Sequence, residues 1–326
     1  MTEMTKNMML FSGSVNPELA EQIAKELNTS LNNIRLEKFS NGEIYARYQE
    51  SIRGNDVFLI QSVADSADHK YDVNDALMEL LIMVDAAKRA SARTINVVVS
   101  HYGYARQDRK AASREPITAK LVADLLSVAG IDRLITVDLH VGQIQGYFDI
   151  PVDHLTALPI LADYYKSKDL PTEKLCVVSP DVGRAKAAKK FSDMMGADLV
   201  IMHKGRPGHN KAEITALIGD VAGKICIIND DMIDTAGSIA AATQTLKDKG
   251  AEKIYVCCTH PILSGPAYER LEKAPIEEVL VCNTIPVPEE KRTGKIRVIS
   301  VAPLLAAAIK NVYNNGSVSD LFDIQL

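Results

Sequence analysis

The sequence lacks a long apolar run, a secretory segment and a surplus of positive charge. The longest apolar run in a helical pattern, Leu80–Val84, is bounded by Glu79 and Asp85, which excludes a membrane-spanning helix. The apolar run at Met8–Phe11 is too short to be a secretory segment. A net charge of −5 provides no global field that attracts nucleic acid. An anionic substrate must therefore be held by local clusters of Lys and Arg.

Cysteine is also scarce, and low-complexity segments and short repeats are missing. The five cysteines include no Cys-x-x-Cys pair, and all of them lie in strand-like apolar runs. This placement favours buried, reduced thiols in a cytoplasmic protein. A zinc site at Cys257, Cys258 and His260 is disfavoured, because adjacent cysteines seldom chelate one ion well.

What the sequence does contain is an alternation of strand-like and helical segments. The strand-like runs are Met8–Ser12, Val57–Gln61, Ile95–Ser100, Leu134–Val137, Leu175–Ser179, Leu199–Met202, Ile225–Ile228, Ile254–Cys258, Val279–Cys282 and Ile296–Ser300. Helical patterns such as Asp75–Ala90 and Thr118–Ala129 lie between them. The alternation predicts an α/β fold with parallel sheets. Because ten strands are many for one such sheet, we expect two sheets and two domains, with a boundary near Pro151–Pro159.

A strand signal, two carboxylates and a small-residue turn follow one another at residues 225–239. Ile225–Ile228 is a β-branched run typical of a strand buried on both faces. The carboxylates of Asp230 and Asp231 can accept hydrogen bonds from sugar hydroxyls or hold a hydrated metal ion. Asp234–Ser238 then opens a helix, whose backbone N–H groups and positive dipole end bind phosphate. The combination predicts a ribose 5-phosphate pocket.

The alternative for this segment is an acidic strand end followed by an ordinary helix cap. Asp234 or Thr235 would then supply the cap. The ordered series of features favours the pocket, because false matches become rarer as constraints accumulate.

A compact basic segment follows another strand. Tyr102–Lys110 and Arg114 contain four cations and two aromatic side chains. Arg can clamp phosphates in a bidentate manner, and its plane can stack on a purine. The alternative is a solvated basic face with packing tyrosines.

Four further segments place polar residues after strands or in turns. His140 and Asp181 each follow a strand, where an imidazole or a carboxylate can bind a metal ion, although a structural His or an Asx turn would look similar. Phe39–Glu43 reads as a turn with an Asn-Gly signal. Lys204 and Arg206 could neutralise charge on phosphate oxygens from a closing loop, or simply belong to a loop without a role.

Taken together, these segments closely resemble ribose-phosphate pyrophosphokinases, from Phe39 to the C-terminal segment 317–322. The resemblance implies two α/β domains, each a parallel-sheet type I phosphoribosyltransferase-like fold. Residues 1–155 joined by 304–326 would form the first, and residues 156–303 the second. It implies an enzyme that transfers the diphosphoryl group of Mg-ATP to the 1-hydroxyl of ribose 5-phosphate, giving phosphoribosyl pyrophosphate and AMP.

The resemblance also implies roles for individual residues. Lys204 and Arg206 would be catalytic, while His140 and Asp181 would bind Mg²⁺. The implied ATP-binding residues are Phe39, Asn41, Glu43, Arg106, Gln107 and Asp108. The implied ribose 5-phosphate-binding residues are Asp230, Asp231, Asp234, Thr235, Ala236, Gly237 and Ser238. Ser51, Arg53, Ser317 and Ser319 match a regulatory site in enzymes that phosphate activates and ADP inhibits, and the Phe39 segment would reach a neighbouring subunit of a homo-oligomer, expected to be a hexamer.

The sequence departs from the family pattern at three positions. Arg184 replaces the second of two usual glycines after Asp181, Gly205 stands where a second basic residue is common, and Asn229 replaces an apolar residue. Two rival functions remain open. A nucleobase phosphoribosyltransferase is disfavoured by the segments around Arg106 and His140, and a non-catalytic regulatory relative by the presence of the catalytic and metal-binding residue types.

Overall fold

The computed structural model describes residues 7–205, 213–292 and 294–321, and only the backbone at 204, 205, 213–215 and 320. Its strands are β1 (Met8–Ser12), β2 (Ile34–Lys38), β3 (Ile44–Tyr48), β4 (Asp56–Gln61), β5 (Thr94–Val99), β6 (Arg133–Val137), β7 (Val152–Leu155), β8 (Leu175–Ser179), β9 (Asp198–Gly205), β10 (Glu213–Ile218), β11 (Ile225–Ile233), β12 (Lys253–Pro261), β13 (Glu278–Cys282) and β14 (Ile296–Ile299). Its α-helices are α1 (Pro17–Glu26), α2 (Val73–Arg89), α3 (Thr118–Ala129), α4 (Leu158–Lys166), α5 (Ala185–Met195), α6 (Gly237–Asp248), α7 (Ala267–Lys273) and α8 (Ala302–Tyr313). None of the helices in this described part is both long and apolar enough to cross a membrane.

The described residues fall into two compact units. The first contains the chain up to Thr156, Thr284–Pro286 and the segment that begins at Ser300. The second contains Ala157–Asn283 and Val287–Ile299. Each unit has its own apolar core, built from strands that are buried along their whole length, such as β4 and β8.

The first unit is built on a five-stranded parallel sheet in the order β1-β4-β5-β6-β7. Helix α8, from the end of the chain, packs against α1 in this unit. Strands β2 and β3 form a separate antiparallel hairpin in which Lys38 pairs with Ile44. The hairpin tip is therefore Phe39–Glu43, as the Asn-Gly turn signal predicted.

The second unit is built on a seven-stranded sheet in the order β10-β9-β8-β11-β12-β13-β14. All neighbouring pairs are parallel except β9 and β10, which form an antiparallel edge. From β8 the chain first moves outward to β9 and β10, and then returns to place β11 on the other side of β8. The loops after β8 and β11 therefore leave in opposite directions, which creates a topological switch point where α/β proteins bind ligands.

The predicted α/β class with two parallel sheets is confirmed. The prediction that β11 ends at Ile228 is wrong, because the strand continues to Ile233. The run at Leu199–Met202 likewise extends to Gly205. Both extensions contain polar residues, which the apolar-run criterion does not count as strand.

Candidate active site

Asp230 and Asp231 lie at the switch point of the second unit. Strand β11 pairs with β8 only as far as Ile228, but it pairs with β12 as far as Ile233. The two carboxylates therefore project from a strand segment whose edge toward β8 is open. They belong to strand β11 itself, whereas the sequence placed them between the strand and a turn.

The carboxylate pair is electrostatically strained. Asp231 is buried, and its backbone N–H donates to Oδ1 of Asp230 at 2.9 Å. Burial raises the pKa of Asp230 well above its ordinary value, and repulsion from Asp231 adds to the effect. The nearby cation of Arg184 opposes this shift. Hydrogen bonds donated by sugar hydroxyls, or the charge of a nearby cation, stabilise such a pair.

The segment after the carboxylates forms the start of α6. Ala236 takes a left-handed conformation with φ of 57°, and no side chain of the described residues caps the helix. The alternative in which Asp234 or Thr235 serves as an ordinary cap is therefore wrong. Asp234 instead accepts a hydrogen bond from the Ser264 hydroxyl. The first N–H groups of α6 remain available to an anion.

Arg270 supports this loop and was missed by sequence analysis. Its Nη1 donates to the Thr235 carbonyl at 2.9 Å. A Cβ atom at Gly237 would lie 3.3 Å from the same nitrogen, so the absence of a side chain there lets Arg270 approach. No sequence signal links Arg270 to this turn, because the contact joins α7 to the start of α6.

The loop after β8 carries Asp181 and Arg184. Asp181 begins a short 3₁₀ helix at Val182–Arg184, and its Oδ1 accepts from the Arg184 backbone N–H at 3.1 Å. The Arg184 side chain extends toward the carboxylate pair, with Nε 3.8 Å from Oδ1 of both Asp230 and Asp231. The two loops that flank the switch point thus meet through Arg184.

In the first unit, the predicted ATP segment and His140 follow the neighbouring strands β5 and β6. The Tyr147 hydroxyl donates to the Asp108 carbonyl and so joins the two segments. Arg106 and Gln107 are exposed, and Asp108 is half-buried. Exposed cations at the carboxyl ends of parallel strands are suited to binding an anionic nucleotide.

His154 holds the backbone next to half-buried His140 and was also missed. Its Nε2 accepts from the Leu139 backbone N–H at 2.8 Å, and its Nδ1 lies 3.2 Å from Nε2 of Gln145. Asp138 in the same segment has a φ of 39°, in the left-handed region. No sequence signal indicates this role, because His154 belongs to β7, a strand that the apolar pattern does not reveal.

The hairpin tip presents its predicted nucleotide-binding side chains to solvent. Phe39 is 48% exposed, and Asn41 donates to Glu43 at 2.8 Å. The Phe39 backbone N–H donates to the Glu43 carbonyl at 2.8 Å, which closes the turn. A large exposed aromatic ring on a closed turn is suited to stacking on a partner group.

The predicted regulatory residues also belong to the first unit. Ser51 and Arg53 line a concavity of about 370 Å³ together with Arg47. Ser317 accepts from the Ser319 backbone N–H through its hydroxyl oxygen at 3.1 Å.

The predicted catalytic pair is only partly described. Lys204 is described by its backbone, which pairs with Ile214 of β10, and Arg206 lies outside the described residues. Lys204 therefore belongs to the end of strand β9, although the sequence analysis placed it in a loop.

The fold and the site define a class of protein. A carboxylate pair and an uncapped helix start at the switch point of a parallel sheet are characteristic of α/β proteins that bind a phosphorylated ligand at that edge. Comparison with known proteins then identifies the family.

Residues 8–130 match the N-terminal domain of ribose phosphate pyrophosphokinase, and residues 204–323 match the phosphoribosyl synthetase-associated domain. The ribose-phosphate pyrophosphokinase of Bacillus caldolyticus is 53% identical over 99% of this chain and 100% of its own length. That of Clostridium perfringens is 53% identical over 98% of each. The crystal structure of phosphoribosylpyrophosphate synthetase from Mycobacterium smegmatis is 47% identical, with a TM-score of 0.88 over 95% of this chain and 100% of that one. The chain belongs to the ribose-phosphate pyrophosphokinase family.

Family membership confirms the predicted resemblance and the prediction that the chain is an enzyme, a kinase-type transferase of nucleotide biosynthesis. Family membership likewise confirms the predicted synthesis of phosphoribosyl pyrophosphate. Neither rival function finds support in these comparisons. The roles of individual residues stay predictions.

Proposed function

We propose that this chain transfers the diphosphoryl group of ATP to the 1-hydroxyl of ribose 5-phosphate at the switch point of its second unit. The observation that carries the proposal is the juxtaposition of Asp230 and Asp231 with the uncapped start of α6. The carboxylates accept hydrogen bonds from the sugar hydroxyls, and the N–H groups of Ala236–Ser238 hold the 5-phosphate. Family membership and this geometry support the same substrate.

The chemistry needs positioning and charge stabilisation more than covalent catalysis. Phosphoryl transfer spreads charge over the oxygens of the transferred group, while the attacking and leaving oxygens lie in line. Lys204, near the end of β9, and Arg206, two residues further along the chain, would neutralise that charge. Arg106, Gln107 and Asp108 would hold ATP, with Phe39, Asn41 and Glu43 supplied by the hairpin of a neighbouring subunit.

The divalent ion that such a kinase needs is proposed to be Mg²⁺. Among the described residues, no group of three or more His, Cys, Asp or Glu side chains could hold a metal ion. A site with few protein ligands suits Mg²⁺, because this ion keeps several waters and binds through one or two protein ligands plus substrate phosphates. His140 and Asp181 would each supply such a ligand, and the bound ion would offset the negative charge of the phosphates.

The proposal also covers the location, the assembly and the regulation of the enzyme. We infer a cytoplasmic homo-oligomer, a hexamer, activated by phosphate and inhibited by ADP. Ser51, Arg53, Ser317 and Ser319 would form the effector site. The hairpin tip would then contribute to an ATP site only in the assembled oligomer.

A single incubation tests the reaction. The purified protein is mixed with ATP, magnesium and ribose 5-phosphate, and AMP and phosphoribosyl pyrophosphate are quantified. The two products should appear in equal amounts and only when all three components are present. Formation of ADP in place of AMP, or no turnover by the assembled protein, would contradict the proposal.

A further inference from the structure

Arg184 contains a buried donor that the fold does not satisfy. The side chain is 19% exposed, and its Nε lies 3.8 Å from both carboxylates of the pair. This separation is too long for a hydrogen bond. Nε has no hydrogen-bond partner among the described residues, although buried donors are nearly always paired. The unpaired Nε of Arg184 could therefore gain its missing hydrogen bond when a ligand binds or when the side chain moves slightly.

The backbone of the loop is built to hold this side chain. The Ser179 hydroxyl donates to the Asp181 carbonyl at 2.7 Å, and the Asp181 carboxylate accepts from the Arg184 N–H at 3.1 Å. A Cβ atom at Gly183 would lie 3.2 Å from the same carboxylate oxygen, so a larger residue would press on this contact. The two hydrogen bonds fix the direction in which Arg184 leaves the loop, toward β11.

The positive charge of Arg184 lies beside the negative charges of Asp230 and Asp231. Asp230 and Asp231 suit a sugar with hydroxyl groups, but they repel the polyanion that must approach the same sugar. A guanidinium beside them offsets that repulsion. Its planar set of N–H donors matches phosphate oxygens in a bidentate manner, which a glycine at this position could not do.

We propose that Arg184 binds the diphosphoryl group as this group is transferred to the sugar. Nε faces the carboxylate pair, and the terminal nitrogens donate to phosphoryl oxygens. In the step itself, the sugar 1-hydroxyl oxygen forms a bond to the β-phosphorus of ATP. The bond from that phosphorus to the oxygen shared with the α-phosphorus breaks, its electron pair leaves with AMP, and the hydroxyl proton passes to water. Arg184 exchanges no proton with the substrates in this step, and its guanidinium supplies charge alone.

The inference rests on the proposed function, and binding measurements test it separately from turnover. Calorimetry with magnesium present compares ribose 5-phosphate, which lacks the diphosphoryl group, with phosphoribosyl pyrophosphate, which carries it. Arg184→Gln should weaken binding of phosphoribosyl pyrophosphate by about 10- to 100-fold, as expected for loss of charged hydrogen bonds. Binding of ribose 5-phosphate should stay within about threefold, because that ligand lacks the group that Arg184 contacts. Turnover should fall by about 10²- to 10³-fold.

Two further variants complete the design. Arg184→Lys keeps the charge without the planar fork, and it should fall between the wild type and Arg184→Gln. Lys189→Gln is the matched control, since Lys189 is an exposed cation of α5 that pairs with Asp193. It should bind both ligands as the wild type does.

Each outcome separates the claims. Equal binding of phosphoribosyl pyrophosphate by Arg184→Gln and the wild type would overturn the role of Arg184. So would an equal loss of both ligands in Arg184→Gln and Arg184→Lys, which would indicate a structural role. Tighter binding of ribose 5-phosphate by Arg184→Gln would indicate that Arg184 occupies the carboxylates in place of the sugar. This outcome would also overturn the proposed role of Arg184. A wild type that forms no AMP would instead overturn the proposed function.

Discussion

Asp230 and Asp231 are placed at a cost to the stability of the strand that carries them. Burial and mutual repulsion raise the pKa of Asp230, so the folded chain binds this proton more tightly than the unfolded chain does. The free energy of unfolding contributed by this group therefore falls as the pH rises from the ordinary aspartate pKa of 3.8 through the raised value. The destabilisation is fully present at pH values above the raised pKa.

Removal of this charge should stabilise the protein and impair its function. We expect Asp230→Asn to raise the free energy of unfolding at pH 7 by about 1–3 kcal/mol, the cost of a poorly satisfied buried polar group. Thermal unfolding followed between pH 4 and 8 measures the effect, which should shrink toward the acid end. Asp193→Asn, at an exposed position on α5, is the control and should change little. A variant less stable than the wild type at pH 7 would contradict the assignment of strain to Asp230.

Asp231 is expected to act mainly on the sugar. Because its carboxylate would accept hydrogen bonds from ribose hydroxyls, Asp231→Ala should raise the KM for ribose 5-phosphate by about 10- to 100-fold. The KM for ATP should stay within about threefold, since the nucleotide makes no contact with this carboxylate in the proposal. Initial-rate kinetics with each substrate varied in turn give both values. An unchanged KM for the sugar would count against the pocket.

At the residue scale, the sequence predicted groups that lie close together along the chain. Asp230, Asp231 and the segment that opens α6 are contiguous, so their chemistry could be inferred without a structure. Arg184, Arg270 and His154 act across elements, and only the order of the strands and helices brings them to their targets. Arg184 was identified as a departure from the family, but its contact with the carboxylate pair depends on the parallel pairing of β8 with β11.

At the scale of elements, prediction succeeded where a strand is buried on both faces. β1, β8 and α3 have the predicted boundaries, since a continuous apolar run or a helical period marks them. The apolar pattern does not mark β2, β3, β7 and β10, which mix polar and apolar residues and lie at sheet edges or in the hairpin. The polar ends of β9 and β11 fall outside the apolar runs because they carry residues of the proposed active site.

The end of β9 is the element that should carry the catalytic charge. Lys204→Ala is expected to lower turnover by about 10²- to 10³-fold and to leave ATP binding within about threefold, because the charge is needed chiefly in the transition state. Lys253→Ala offers a control in the same sheet but at the opposite, amino end of strand β12, where the lysine is exposed. Turnover and equilibrium nucleotide binding are measured on both. Near-normal turnover of Lys204→Ala would remove this residue from the mechanism.

At the scale of the whole molecule, the proposed active site needs more than one chain. Phe39 is exposed at a closed hairpin tip and is proposed to reach ATP in a neighbouring subunit. Phe39→Ala and Lys204→Ala should then each be nearly inactive as homo-oligomers, for different reasons. Mixed oligomers would contain some sites with both residues intact.

Complementation measures this directly. After the two variants are dissociated, mixed in equal amounts and reassembled, activity should return to roughly a quarter of the wild-type level, as expected for random pairing across a shared interface. Each variant treated alone in the same way is the control. Activity no higher than that of the separate variants, with mixed oligomers demonstrated by mass, would show that each site is contained in one chain.

The fate of a single oxygen atom tests the proposed transfer most directly. Ribose 5-phosphate labelled with ¹⁸O at the 1-hydroxyl is mixed freshly with ATP and magnesium, and the products are examined by ³¹P NMR and mass spectrometry. The label should appear in phosphoribosyl pyrophosphate, in the oxygen that bridges the sugar and the diphosphoryl group, and AMP should carry none. Label in AMP, or unlabelled phosphoribosyl pyrophosphate, would contradict attack of the sugar hydroxyl on the β-phosphorus of ATP.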